Sequence, residues 1–148
     1  MTGEPTEAAL KVLAEKIGQY DADAPTCEAN QKKRPMSYAD HLSNQFRHVA
    51  TLDFSSERKT MSTVIRGFNG AQGNQVLLKG APERVLDRCT KIMLANGSEE
   101  DLTHQMKVGI LTKMNTVASQ GFRVLGVGIS LTGGNMGHIT AENMREEL

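Results

Sequence analysis

The residues between Asp53 and Gly80 carry the chemistry this chain offers. Phe54 is followed by Ser55-Ser56-Glu57-Arg58-Lys59-Thr60-Met61-Ser62, and further on Lys79 opens Lys79-Gly80-Ala81-Pro82-Glu83. An aromatic ring and a polarizable thioether suit the face of a flat heterocycle. The neighbouring cations suit phosphate. A lysine closing an apolar run can project its ammonium into a pocket, and the glycine after it lets a ligand approach the backbone. Together these residue types describe a site for a flat, anionic ligand of the nucleotide kind.

Taken singly, each residue also has a plainer explanation. Lys79 reads as a strand-end lysine beside a turn, and Phe54 as a core aromatic. Arg58 and Lys59 read as a solvated turn, and Met61 as a core methionine. Glu7 fits the first turn of a helix, where the dipole favours an acid. Arg123 follows a helix stop and opens an apolar run, where an ordinary ion pair accounts for it. The familiar local signatures are missing. Gly-x-x-x-x-Gly-Lys-Ser/Thr is absent, and Gly133-Gly134-Asn135-Met136-Gly137 lacks the lysine. Gly126-Val127-Gly128 lacks the third glycine of a dinucleotide fingerprint, and there is no Gly-x-Ser-x-Gly. A self-contained hydrolase is therefore poorly supported.

Composition narrows the classes further. The 148 residues suffice for one domain with a real core. Lys and Arg total 17 and Asp and Glu total 17, so the net charge is zero. A dedicated nucleic-acid binder usually carries a basic surplus, and no nucleic-acid partner is expected. Aromatics make up 4% with no Trp, which argues against a stacking platform for single strands. The Lys32-Lys33-Arg34 cluster reads as a solvated loop. Cys27 and Cys89 belong to no Cys-x-x-Cys motif. Free thiols in a reducing compartment are the simplest reading, with one disulfide as the alternative. His41, His48, His104 and His138 show no metal-ligand spacing. The N-terminus is polar and lacks the apolar core of a signal peptide. The longest apolar stretch, Val124 to Ile129, is far short of the roughly 20 residues a membrane helix needs. The chain as given is expected to be soluble.

These side chains need elements to hold them. Ala9, Leu10, Val12, Leu13 and Ile17 form a stripe that predicts a helix from Pro5 to Ile17, stopped by Gly18. Asp21 to Pro35 reads as a loop. Ser37 caps a short helix through Phe46. Strands are expected at Arg47–Phe54, Met61–Arg66, Val76–Lys79, Lys91–Ala95 and Phe122–Ile129, with loops at Ser55–Thr60 and Gly67–Asn74. A short helix follows Pro82, with Val85, Leu86 and Cys89 on its inner face. Asn96-Gly97 marks a turn. Thr103 caps the longest helix, His104 to Gln120, with Met106, Ile110, Leu111, Met114, Val117 and Ala118 at helical spacing and Gly121 at its end. Leu131 to Gly137 reads as a loose segment before a frayed terminal helix. Strands mixed with helices, without strict alternation, predict an α+β fold with a largely antiparallel, twisted sheet flanked by helices.

The order of the motifs adds what their chemistry cannot. Gly3-Glu4-Pro5-Thr6-Glu7-Ala8-Ala9-Leu10 comes first, then Phe54 to Ser62, then Lys79-Gly80-Ala81-Pro82-Glu83 with Asp87-Arg88-Cys89, then Phe122-Arg123-Val124-Leu125. This closely resembles the cytosolic nucleotide-binding domain of P2-type cation-pumping ATPases, over roughly residues 2 to 130. The resemblance implies that ATP binds, with Mg²⁺ accompanying it. Phe54 would stack on adenine, Glu7 would sit near the exocyclic amine and Met61 would help wall the base. Lys79 would lie deep in the pocket above a floor of Gly80 and Ala81, and Lys59 and Arg123 would face ribose and phosphates. Many calcium pumps of the family carry an arginine two residues after the phenylalanine, where this chain has Ser56.

Arg58-Lys59-Thr60-Met61-Ser62 and Gly3-Glu4-Pro5-Thr6-Glu7 are similar to calcium pumps of the sarco/endoplasmic reticulum class. Lys79 to Cys89 is nearly as similar to sodium/potassium pumps. The family's phosphorylated aspartate lies in Asp-Lys-Thr-Gly, which this chain lacks, as it lacks the Asp-Pro-Pro hinge and the membrane helices. The resemblance thus implies a domain fragment, residues 1–148, that presents the γ-phosphate to an aspartate of a separate phosphorylation domain. It would work beside an actuator domain on the cytosolic face of an endoplasmic-reticulum-type membrane. The transported cation, Ca²⁺, would bind elsewhere in the parent, and the fragment alone would be inactive. The alternatives are the same domain of a sodium/potassium-type pump, or an interaction module that has lost ATP.

Overall fold

A computed structural model of the chain describes residues 5–17, 26–27, 34–35, 37–68 and 73–130. They belong to two compact units, Met1–Arg47 and His48–Leu148. Among the described residues, no helix is long and apolar enough to cross a membrane.

In the first unit, helix α1 spans Pro5–Ile17, with the bounds its stripe predicts. Helix α2 spans Tyr38–Gln45 and packs against it. Ser37 caps α2 as expected: its Oγ accepts from the Asp40 N–H at 3.2 Å and donates to Asp40 Oδ2 at 2.7 Å. The Glu15 carboxylate supplies a second cap, accepting from the Tyr38 N–H at 2.9 Å and the Ala39 N–H at 3.0 Å. These bonds satisfy orphan donors of α2 and fix it to α1. Inside the stretch read as a loop, β1 (Thr26–Cys27) pairs antiparallel with β2 (Arg34–Pro35). A two-residue ladder has no room for hydrophobic alternation, so no pattern announced it.

The second unit is built on a four-stranded sheet. Its strands are β3 (Arg47–Leu52, entered from the first unit), β4 (Thr60–Arg66), β5 (Asn74–Gly80) and a last strand, Gly126–Ser130. Before that strand come α3 (Pro82–Arg88), the hairpin β6 (Lys91–Met93) with β7 (Glu99–Asp101), and α4 (His104–Ala118), so the last strand is β8. The spatial order is β3-β4-β5-β8, with β4–β5 and β5–β8 antiparallel. The expected α+β class with an antiparallel sheet therefore holds.

The strands are bounded differently from the sequence reading. β5 starts at Asn74, because the buried amides of Asn74 and Gln75 are satisfied inside the fold. Asn74 Oδ1 accepts from Arg66 Nε at 2.9 Å, and Gln75 Nε2 donates to the Gly73 carbonyl at 2.9 Å. Polar residues at a strand start look like loop in a sequence, yet here they are bonded and buried. β8 starts at Gly126 rather than Phe122, since its ladder with β5 ends at the Gly80–Gly126 pair. β7 has no apolar residue and gave no strand signal; it is held by its pairing with β6.

Asn96-Gly97 does close that hairpin. Gly97 alone is left-handed, at φ +82°, and its N–H donates to the Leu94 carbonyl at 2.9 Å. The turn is a type I turn followed by a left-handed glycine, rather than the two-residue form that needs positive φ at both centres.

The core comprises Ala50, Leu52, Val64 and Val76, with Val49 packed beside it. On α3, Val85 is buried and Leu86 is half-buried, as is Cys89, which follows the helix as its C-cap. The α4 stripe is shallower than its spacing implies. Met106, Ile110, Leu111 and Met114 are half-buried, while Val117 and Ala118 are exposed. Among the described residues Cys89 is a free thiol. The Cys27 side chain, Gly18, His138 and the readings made for 131–148 lie outside the described residues.

Candidate functional site

Strand register decides which side chains meet. Met61 pairs with Lys79, and Lys79 pairs with Val127. Residues directly opposite across antiparallel strands share a face, and the next pair along points the other way. Met61, Lys79 and Val127 therefore form one row on one face. The next row, Thr60, Gly80 and Gly126, lies on the other face. That second face is covered by α3: a Cβ on Gly126 would lie 2.9 Å from Val85 Cβ and 3.0 Å from Pro82 Cα. The face bearing Lys79 is thus the one opposite α3. Lys79 and Met61 are half-buried, and Val127 is 73% exposed.

The aromatic loop reaches this end of the sheet along residues 53–59, which join β3 to the start of β4. Phe54 is 60% exposed and is no part of the core. Its place is set by the backbone on either side. The Arg58 guanidinium donates to the Asp53 carbonyl. The Lys59 N–H donates to the Ser55 carbonyl at 2.7 Å, and the Arg58 N–H to Ser55 Oγ at 3.2 Å. Lys59 has φ +55°, the only positive value on a non-glycine among the described residues. A lysine there is uncommon, and such strain persists only where the surroundings over-determine it.

The surroundings are Gly80 and Ala81. The Ala81 N–H donates to the Lys59 carbonyl at 2.9 Å. A Cβ on Gly80 would lie 2.3 Å from that same carbonyl oxygen and 2.7 Å from Thr60 Cα. Gly80 is required by this close approach of two strands, and its own φ is not in the left-handed region. Beneath the contact, Thr60 is fully buried, and its Oγ1 has no hydrogen-bond partner.

Six of the eight sequence candidates thus gather at one end of the sheet: Phe54, Lys59, Met61, Lys79, Gly80 and Ala81. Arg123 is exposed in the segment leading to Gly126, which pairs with Gly80 at that end. Glu7 is exposed in the first turn of α1, in the other unit. Two features escaped the sequence reading. Val127 is found only through the parity of the β5–β8 register, and the backbone role of Lys59 leaves no trace in residue type. Chemically, the row offers an ammonium flanked by two apolar side chains. Beside it stand an exposed ring and a second cation.

The family model described as P-type ATPase, cytoplasmic domain N, matches residues 1–148. The chain is 36% identical over 133 residues to calcium-transporting ATPase 2, endoplasmic reticulum-type, of Arabidopsis thaliana, which covers 85% of this chain and 12% of that protein. It is 34% identical over 131 residues to the endoplasmic reticulum calcium ATPase srcA of Aspergillus fumigatus, covering 83% of this chain and 13% of that protein. It is 31% identical over 126 residues to a probable calcium-transporting ATPase of Trypanosoma brucei brucei, covering 78% of this chain and 11% of that protein. The chain therefore spans about an eighth of the length of the relatives it matches, and it belongs to the P-type ATPase cytoplasmic domain N family.

Proposed function

We propose that this chain is a nucleotide-holding domain, residues 1–148, of a P-type calcium-transporting ATPase, and that it binds ATP at the Phe54–Lys79 end of the sheet. The observation that carries the reading is the register. It sets Met61 opposite Lys79 while the Phe54 loop is bonded to Ala81 beside them. Phe54 offers its exposed face to adenine, and Met61 and Val127 wall the base with apolar atoms. Lys79 meets a phosphate from between them, with Gly80 and Ala81 as floor. Lys59 and Arg123 supply further charge for ribose and phosphates. Glu7 enters through the family resemblance, as the acceptor for the exocyclic amine.

Calcium as cargo and an endoplasmic-reticulum-type membrane follow the names of the relatives, and a place on its cytosolic face follows the family's description as a cytoplasmic domain. In the parent, an aspartate of the phosphorylation domain attacks the γ-phosphorus, the bond to the bridging oxygen breaks and ADP leaves. Magnesium, carried on the phosphates as part of the substrate, would neutralise their charge. Among the described residues, no group of three or more His, Cys, Asp or Glu is placed to hold a metal by itself. This chain's own part is to hold and orient the nucleotide, and the actuator and phosphorylation domains complete the cycle.

Calorimetric titration of the chain with ATP tests the reading. Phe54→Ala should lose about 1–3 kcal/mol of binding, the scale of one aromatic–base contact. Its stability should be unchanged, because the ring is 60% exposed. Lys79→Ala should weaken binding without unfolding the domain. ATP affinity unchanged in both variants would remove the site from this end of the sheet.

A further inference from the structure

Arg58 is a cation beside the proposed phosphate contacts, yet its guanidinium is turned back on its own loop, donating to the Asp53 carbonyl. The Ser55 carbonyl accepts from the Lys59 N–H at 2.7 Å. Phe54 lies between those two carbonyls. Its neighbours on either side are thus tied down, although its ring packs into no core and is 60% exposed. The tie continues beyond the loop. Lys59 is left-handed at φ +55°, which turns its carbonyl towards the Ala81 N–H at 2.9 Å. Main-chain bonds therefore join Ser55 through Lys59 to Ala81, and the Arg58 side chain ties in Asp53 on the other side of Phe54.

We infer that Arg58 and the main chain of Lys59 are positioning residues, forming a strap that presets the Phe54 ring relative to Lys79 before any ligand arrives. The inference rests on the nucleotide reading above. An exposed ring on an untethered loop has to be ordered when a base stacks on it, and that ordering subtracts from affinity. The strap removes that cost in advance. It also gives the two adjacent cations different tasks, with Lys59 facing the anion and Arg58 shaping the loop. Preorganisation at the ring acts on the base end of the ligand and leaves the phosphate end alone.

That split is the test. Affinities of the whole chain for ATP, AMP and tripolyphosphate are measured by calorimetry for the wild type, Arg58→Ala and Arg58→Lys. The backbone order parameter at Phe54 is measured without ligand. Arg58→Ala should weaken ATP and AMP by one common factor, about two- to tenfold, the equivalent of ordering one side chain on binding. Tripolyphosphate should be unaffected, the Phe54 order parameter should fall, and Arg58→Lys should recover part of each loss. A parallel fall in tripolyphosphate affinity would make Arg58 a phosphate contact and overturn the inference. An unchanged Phe54 order parameter would overturn it as well. Because that readout needs no ligand, a wild type that fails to bind nucleotide sinks the functional reading and still leaves the strap testable. If Arg58→Ala does not fold, Ser55→Ala, which removes the Oγ accepting from the Arg58 N–H, should loosen Phe54 in the same way, and its failure to do so is contrary.

Discussion

Replacing Gly80 by alanine adds one carbon where β4 and β5 approach closely. The new Cβ would stand 2.3 Å from the Lys59 carbonyl oxygen, 2.7 Å from Thr60 Cα and 2.8 Å from Thr60 Cγ2. Favourable carbon contacts begin near ~3.5 Å, so the overlap is severe. Two of the three atoms are backbone, so no rotamer change relieves them. β4 and β5 must separate at this end, and the Ala81 N–H loses the Lys59 carbonyl it reaches at 2.9 Å. Overpacking of this kind costs about 1–3 kcal/mol and the lost hydrogen bond about 0.5–1.5 kcal/mol, giving roughly 2–4 kcal/mol together. A small domain has about 5–15 kcal/mol to lose, so the variant should still fold.

Urea denaturation followed by circular dichroism reads the cost as a midpoint lowered by roughly 1–2 M, for a slope of about 2 kcal/mol/M. Amide exchange should show Ala81 newly unprotected. Gly97→Ala is the contrast, because that glycine has φ +82° and no atom within 4 Å of a new Cβ. It should cost only the left-handed backbone penalty, about 1–2 kcal/mol, and leave ATP affinity alone. A Gly80→Ala loss below ~0.5 kcal/mol, within the range of an ordinary surface change, would refute the claim that the two strands touch here.

Thr60→Val should stabilise the domain by about 1 kcal/mol, since it removes a buried hydroxyl with no partner and keeps the branched shape; a destabilised variant in urea melts would mean the hydroxyl is bonded in solution. Gly109→Ala lies within α4, and a Cβ there meets nothing within 4 Å. It should raise stability by roughly 0.5–1 kcal/mol through helix propensity, and a lowered thermal midpoint would contradict the helix.

Periodicity carried the elements that bury a stripe or a branched run. α1 has the bounds its apolar spacing predicts, and α4 begins after Thr103, whose hydroxyl accepts from the Met106 N–H at 3.2 Å. Pattern failed where pairing alone defines an element. β7 is three exposed acids, and β1 and β2 are two residues each. It also misplaced Phe54, since an aromatic at a strand end suits the core, and nothing in its residue type says that the chain leaves the sheet after Leu52. The candidate site was legible as a set of residue types in a known order. Its geometry was not, because register is a long-range property: only the β4–β5–β8 ladder makes Met61, Lys79 and Val127 neighbours. The left-handed backbone of Lys59 was hidden for a related reason. Lysine has no preference for that region, and a distant glycine and amide impose it.

The central claim is that one end of this sheet holds ATP. A nitrogen-15 NMR titration of the whole chain with ATP and magnesium tests it most directly. Amide shifts should move at Phe54, Lys59, Met61, Lys79, Gly80, Ala81 and Arg123, and at Glu7, saturating together with one dissociation constant. Shifts that leave Phe54 and Lys79 unmoved at saturating ATP would contradict the account.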